Sequence, residues 1–286
     1  MPQTATTGNL ESAQKIIIAS SRYTEEHNAP ALALIESFSL PKGAKQVTVP
    51  KVGQMSMSDL TDGQDIVDEE DIGMTTVDLT ASEVGAKIIL TDKLIRQSAE
   101  NVMSIVGRQL GDGMARKKDN DVTALYSGFS TDLGSAGRTM GLANLSAVVA
   151  YAKGNKFGSQ VYINHHPFTV WDVANTAVTA SVTYPVPKGW SEDLLGNFFS
   201  GLRPLNGVPI FEDGNISIDS SDDAIGVVAD KSALAVLKSV ETRTERQRDA
   251  SLRATELVMT SDYGVFELDD SKGAALTLDA GTPATS

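Results

Sequence analysis

Apolar and polar positions alternate along three stretches of the chain in the period-two pattern of half-buried strands. From Gln46 to Val52 the apolar positions are Val47 and Val49, with Pro50 between Val49 and Lys51. Proline cannot donate to a ladder, so this strand is expected at an edge or in a two-stranded ribbon. From Thr75 to Leu90 the alternation runs through Val77, Leu79 and Ala81, then Val84, Ala86, Ile88 and Leu90. Its phase slips at Ser82–Glu83, as at a bulge. With the polar, glycine-containing stretch Gly53–Gly73 between them, the two strands predict one long hairpin with a wide tip. An isolated hairpin is marginal in water, so this one is expected to lie on the rest of the chain or on a neighbouring molecule.

The period lengthens to that of a helix in two places. Residues 11–28 set Ile16, Ile17 and Ile18 among polar neighbours until Pro30 interrupts. The short apolar piece Ala31–Phe38 follows. Too few apolar residues are present here for a core, so the segment reads as an arm whose isoleucines are covered by a neighbour. Residues 91–127 predict one long helix opened by Thr91 or Asp92 as N-cap, with Ile95, Val102, Val106, Leu110, Met114, Val122, Leu125 and Tyr126 as its stripe. Such a helix would span about 55 Å. Gly107, Gly111 and Gly113 each cost about 1 kcal/mol relative to Ala and are expected to mark a bend.

Residues 129–235 read as a compact α/β lobe. Val161–Tyr162–Ile163 is a short buried strand, and Pro167 starts a helix carrying Val170, Trp171 and Val173. Asn206–Gly207 signals a turn before Val208–Phe211, Ala224–Ala229 is another strand, and Ser232–Leu237 a short helix. From Val240 onward the chain is strand-rich. It closes on Tyr263–Phe266 and Ala274–Leu278.

Composition narrows the function classes. The chain has 286 residues, no cysteine and a net charge of -13. Disulfides, thiolate nucleophiles and cysteine-ligated metals are excluded. No apolar run is long enough to cross a membrane as a helix, and the polar N-terminus does not support a signal peptide. A chain that gripped nucleic acid by its phosphates would need a basic surface, which this one lacks. The acidic excess peaks in residues 41–90, with 4 basic and 9 acidic residues.

Candidate catalytic chemistry does not assemble. Gly111–Asp112–Gly113 begins a dinucleotide fingerprint, but Arg116 stands where the last glycine belongs and the segment lies inside a helix. No phosphate-loop or nucleophile-elbow pattern occurs. Of three histidines, His165 and His166 are adjacent and point different ways, and His27 lies in the arm; structural roles are expected. No catalytic, cofactor or metal residue is assigned, and no cofactor is expected. The acidic run Asp59, Asp62, Asp65, Asp68, Glu69, Glu70 and Asp71 fails the EF-hand spacing at Ile72. It reads either as a solvated tip or as a docking surface for bases of another subunit, with Arg243, Arg246, Arg248 and Arg253 as the complement. The inter-subunit contact candidates are therefore Ile16, Ile17, Ile18, Asp59, Asp68, Glu69, Glu70, Asp71, Arg243, Arg246 and Arg248.

The order of elements resembles the major capsid proteins of tailed bacteriophages, the Hong Kong ninety-seven type coat fold. Leu34-Ile35-Glu36, Leu40-Pro41-Lys42-Gly43 and Val47-Thr48-Val49-Pro50 are similar to that family's arm passing into its extended loop. Val84 to Asp92, then Leu94, resembles the entry to its spine helix, and Arg116 to Asp121 the charged end of that helix. Val161 to Pro167, with Trp171-Asp172-Val173, resembles the strand, His-Pro and helix unit of its axial domain; Gly207 to Ile210 resembles a later strand there. Tyr263-Gly264-Val265 is similar to its final peripheral strands.

The resemblance implies an α+β fold with an N-terminal arm (1–40), an extended β-hairpin loop (41–90), a spine helix of the peripheral domain (91–130), an axial domain (131–237) and peripheral-domain strands with the C-terminus (238–286). It implies a non-enzymatic shell protein whose copies form pentamers and hexamers of an icosahedral virion capsid around double-stranded DNA, made and assembled in the host bacterial cytoplasm. Implied partners are other copies of the chain, a portal at one vertex, a decoration or cement protein, and DNA held only by weak nonspecific contact. With 40 residues ahead of the fold there is no room for a fused scaffolding domain, so a separate scaffolding protein is expected. The alternatives are an encapsulin-type nanocompartment shell, which shares the fold, and an acidic cytosolic α/β enzyme, which the missing catalytic constellation disfavours.

Overall fold

The computed structural model describes residues 30–52, 59, 73–97, 102–173, 175 and 208–283. The helix expected over 11–28, His27, the Asn206–Gly207 turn and the acidic run beyond Asp59 lie outside the described residues. The chain enters through α1 (Ala31–Leu34) and β1 (Glu36–Ser39), then β2 (Gln46–Val52), β3 (Met74–Thr80) and β4 (Ser82–Thr91). Two helices follow, α2 (Asp92–Gln97) and α3 (Val102–Ala124), with a 3-10 turn over Leu125–Gly128. Next come α4 (Leu142–Gly154), β5 (Val161–His165), a helical segment over 167–173, β6 (Ile210–Glu212) and β7 (Asp223–Asp230). The long strands β8 (Leu234–Asp249) and β9 (Ala254–Glu267) precede β10 (Gly273–Asp279).

These strands form two four-stranded sheets, ordered β1-β8-β9-β4 and β10-β7-β5-β6, and a ribbon of β2 with β3. The phase slip near Ser82 is a change of sheet. β3 pairs with β2 up to Gln46–Thr80, and after Ala81 the chain pairs as β4 with β9, from Ser82–Tyr263 to Thr91–Ala254. The expected single hairpin is thus a ribbon plus one strand of a different sheet, because residues 82–91 find a partner that buries Ile89 and Leu90.

Thr91 caps α2, its Oγ1 accepting the Leu94 N–H at 3.3 Å. The predicted single helix is two described helices and a 3-10 turn. Gly107, Gly111 and Gly113 lie within the uninterrupted span of α3, and no heavy atom lies within 4 Å of where a Cβ would stand. Val106, Leu110 and Met114 of α3 and Leu94 of α2 pack on Leu90, Leu257 and Met259 of β4 and β9. Polar pins fix the other end of α3. Tyr263 Oη donates to Asp121 Oδ2 at 2.7 Å, and Lys118 donates to Thr242 Oγ1 at 2.9 Å while lying 5.2 Å from the centre of the Tyr263 ring.

Ser232–Leu237 is not helical; Leu234–Leu237 starts β8, where pairing with β1 on one side and β9 on the other buries all four residues. β10, expected beside the final peripheral strands, pairs with β7 from Gly273–Ala229 to Asp279–Asp223 and completes the lobe sheet. Its apolar run suits a strand buried on both faces. One face packs on α4 and 167–173 through Val149, Val170, Val228 and Leu276. The junction core gathers Ala31 and Ile35 of the arm root, Val122 and Tyr126 after it, and Ala229, Leu234 and Val236.

His165 and His166 are structural, as the sequence implied. His165 is fully buried; its Nε2 faces the Leu276 carbonyl at 3.0 Å and its Nδ1 accepts the His166 N–H at 2.9 Å. The carbonyl requires a proton on Nε2 and the amide requires a lone pair on Nδ1, so the ring is neutral. Gly226 lies flat against this ring, where a Cβ would fall on the imidazole and the Asn164 carbonyl.

Two outcomes follow from this packing. Burial pushes the His165 pKa down to about 4 from its ordinary 6.5. The folded state therefore resists a proton that the unfolded chain accepts, so stability present above pH 6.5 is lost as pH falls towards 4. The loss is about 3 kcal/mol, at roughly 1.36 kcal/mol per pKa unit. His165→Gln keeps a donor for Leu276 but cannot titrate; urea unfolding at stepped pH should show a shallower acid slope than wild type. In the same assay Gly111→Ala should raise stability by about 0.8–1.0 kcal/mol, since the Cβ meets nothing. Gly226→Ala should lower it by about 1–3 kcal/mol through overpacking.

Candidate functional site

The surfaces that set this chain apart are those it leaves uncovered. In the ribbon, Leu79 is the one buried residue among the described side chains of β2 and β3, and Met74 is 63% exposed. The alternation of Val47, Val49, Val77 and Leu79 gives the ribbon an apolar face, yet the first three remain only half-buried. Near its outer end, one pair short of Val52–Met74, the ribbon is tied back to the body by Lys51 Nζ on Asp269 Oδ1 at 2.5 Å. That contact holds the Asp269 carboxyl below its usual range against the opposing effect of partial burial, with Ser271 adding further hydrogen bonds.

β8 supplies the second uncovered surface. β1 pairs with it only from Ala235 to Lys238, and residues 241–248 are exposed. Two register shifts, between Lys238 and Val240 and between Val240 and Arg243, kink the strand where β1 ends. Beyond them β8 keeps β9 on one side and, among the described residues, has no strand on the other. Glu241, Arg243, Glu245, Arg246 and Arg248 crowd this edge. Charges there discourage indiscriminate strand pairing while leaving room for a matched partner.

The arginines expected to act together are divided by the pleat. Arg243 lies opposite Thr260, and its Nε donates to Thr260 Oγ1 at 3.4 Å. Arg246 and Arg248 lie opposite Leu257 and Thr255, so they share the other face, on which α2 and α3 pack against β9 and β4 while leaving β8 exposed. Arg248 is committed within its own chain. It forms a two-pronged pair with Asp92 at the start of α2, at 2.5 and 2.7 Å. This contact, outweighing an opposing desolvation effect, holds Asp92 below the usual carboxylate range and raises Arg248. Arg243 is also 3.5 Å from Glu245. Arg246 is exposed, as is Asp59. Ile16, Ile17, Ile18, Asp68, Glu69, Glu70 and Asp71 lie outside the described residues.

Sequence reasoning missed the role of Asp92 and Lys51 as internal anchors. Their partners stand 156 and 218 positions away, and no local pattern reveals such pairs. It also missed a buried polar group where the arm root meets the lobe. Asp119 of α3 accepts the Ala31 N–H at 3.1 Å and the Asn215 side-chain amide at 3.0 Å, beside buried Asp213. Among the described residues no cluster of His, Cys, Asp and Glu is arranged to hold a metal ion.

Solved structures share this architecture. The capsid of Ralstonia phage GP4 matches with a TM-score of 0.67 at 12% identity, over 94% of this chain and 92% of that one. The capsid of a native GTA particle matches at 0.66 and 12% identity, over 98% and 95%. The head of Helicobacter pylori bacteriophage KHP40 matches at 0.66 and 11% identity, over 90% and 92%. At these identities the likeness is one of fold. No curated protein matches the sequence. The family model described as phage capsid protein matches residues 74–276, well over half of the chain, from the outgoing ribbon strand to the last strand of the lobe. The chain belongs to the phage capsid protein family.

Proposed function

We propose that this chain is the major capsid protein of a tailed bacteriophage, and that its copies form the pentamers and hexamers of an icosahedral shell around double-stranded DNA. The observation that carries this reading, beside the family match, is the ribbon. Two strands with a half-covered apolar face are marginal alone, and a second copy is the natural cover. On this reading β2 and β3 belong to the extended loop, α3 is the spine helix, the sheet β10-β7-β5-β6 is the axial domain and the sheet β1-β8-β9-β4 the peripheral domain. The role is structural and asks for no catalysis. The acidic wall leaves packaged DNA only weakly held. Assembly in the host cytoplasm with a separate scaffolding protein, a portal at one vertex and a cement protein on the outside completes the proposal.

The arm residues Ile16, Ile17 and Ile18 and the acidic run are the proposed inter-subunit contacts. Asp59, Asp68, Glu69, Glu70 and Asp71 would face Arg243 and Arg246 of a neighbour, with Arg248 retained by Asp92 in its own chain. Single exposed pairs contribute only about 0–1 kcal/mol, so the effect is on register, through repulsion of wrong arrangements.

Co-expressed with its scaffold, the protein should yield closed particles by electron microscopy, holding nuclease-resistant DNA when made during infection. Persistent monomers would overturn the shell reading, and closed particles that enclose protein cargo instead of DNA would favour the nanocompartment. For the charge contact, Asp68, Glu69 and Glu70 are changed to Lys in one set, Arg243 and Arg246 to Glu in a second, and the two sets combined. Assembly yield should fall in each set and recover in the combination; no recovery, or no effect of either set, would return the acidic run to a solvated tip.

A further inference from the structure

Asp119 and Asp213 are both fully buried, yet they face each other at the root of the arm. The accounting of their oxygens leaves one gap. Asp119 Oδ1 accepts the Ala31 N–H at 3.1 Å and Oδ2 accepts Asn215 Nδ2 at 3.0 Å. Asp213 Oδ1 accepts the Asn215 N–H at 2.9 Å. Asp213 Oδ2 is buried with no donor among the described residues. Two carboxylates cannot hydrogen-bond to each other, since both only accept; one proton placed between them supplies the missing donor and removes one of two like charges.

We propose that Asp119 and Asp213 share a single proton, and that this proton is the latch holding the root of the N-terminal arm on the long helix, so that the arm lifts when the proton is lost.

The surroundings favour this reading from every side. From α3, Lys117 and Lys118 turn away, to Asp121 and Thr242. From the turn after α3 comes Tyr126, whose hydroxyl accepts the Asn164 side-chain amide at 2.9 Å, and from β5 come Asn164 and Tyr162. Burial pushes both tyrosines above their ordinary value, so they stay protonated across the neutral range. From the loop after β6 come Asp213 and Asn215, and from the described part of the arm the Ala31 N–H. No cation is among the main influences on Asp119 from the described residues. Burial and the neighbouring Asp213 carboxyl push Asp119 up to about 7, against the opposing hydrogen bonds from Asn215 and Ala31.

The sign follows from that direction. A carboxyl whose folded pKa is raised keeps a proton that the opened state releases, so closure is favoured at low pH, weakens as pH rises from the ordinary carboxyl value of 3.8, and reaches its minimum at about 7. Above it the pair carries two buried charges, and water is their relief. The cover that yields most readily is the arm root. α1 has four residues and no side-chain cap, and β1 adds a ladder of four, whereas α3 runs through 23 residues and is pinned to β8 and β9. Ala31 and Ile35 seal the junction, and displacing them opens the site.

Hydrogen exchange read by mass spectrometry tests this in the full-length protein, at one assembly state checked by light scattering and with intrinsic rates corrected for pH. In wild type, protection of residues 31–35 should fall about tenfold per pH unit between the ordinary carboxyl value of 3.8 and about 7 and level off above that, while β7 stays constant. Asp213→Asn supplies a permanent amide donor in place of the proton and should hold 31–35 protected across the series. Unchanging wild-type protection overturns the proposal. So does equal loss in β7, loss at 213–216 with 31–35 intact, or an Asp213→Asn response that tracks wild type. If that variant fails to fold, which unprotected β7 amides would reveal, wild-type infrared spectra decide. A protonated-carboxyl carbonyl band that persists above the ordinary carboxylate range and vanishes near the pH at which the arm protection levels off supports the latch; absence of the band overturns it.

Discussion

The antiparallel ladder between β8 and β9 is the interaction on which the other placements depend. It begins at Leu234–Glu267, deep in the junction core, and ends at Asp249–Ala254, far outside it. β9 then receives β4 along ten residue pairs, and β4 delivers the chain to α2. The turn at the end of the ladder holds the start of that helix twice, through the Asp92 N–H on the Arg253 carbonyl and through Arg248 on the Asp92 carboxylate. α3 is seated on Leu257 and Met259 of the same strand, and the arm enters the body by pairing β1 with the root of β8. Removing this ladder would leave α3 and the lobe sheet without a common support.

Burial is distributed unevenly around that ladder, and the unevenness bears on assembly. Its inner end is packed on both faces, whereas residues 241–248 of β8 are exposed. The ribbon and the outer half of β8 are ordered elements with little of their surface covered. An isolated protein gains little from maintaining such elements, because fixing the backbone costs about 1–2 kcal/mol per residue and burial must offset it. A shell subunit recovers that cost from its neighbours.

Strands marked by alternation or by a short, bounded apolar run were legible in the sequence. β2, β5 and β7 lie where alternation or a short apolar run placed them. The cap at Thr91 and the buried histidines were legible too, because cap chemistry and an apolar setting are local signals. The outer half of β8 carried no period, since both its faces meet solvent and its residues are polar throughout. Its inner half, Leu234–Leu237, is apolar without a gap, which suits a buried helix turn as well as a strand; only the neighbours β1 and β9 decide. The passage from β3 to β4 looked like a bulge because changing sheets and inserting a residue shift the alternation alike. Of the predicted contact residues, Arg248 was recognisable as a charge but not as the partner of Asp92. Asp119 stood out only as part of the charged stretch Arg116 to Asp121, and nothing local marks Asp213, since the burial of both depends on elements distant in the chain.

The ion pair between Lys51 and Asp269 is a clasp at the outer end of the ribbon. The seven residue pairs extend about 23 Å at roughly 3.3 Å per residue, from Gln46–Thr80 at the base to Val52–Met74. Rotation of about ten degrees about that base would carry the outer end of the strands through about 4 Å at that length, enough to part the clasp. Copies that meet their neighbours at different angles, as copies in a closed surface must, can then keep identical cores and differ in whether this clasp is shut. The pair is partly exposed and its strength falls with added salt, so ionic strength becomes a means of changing how much curvature one sequence can accommodate.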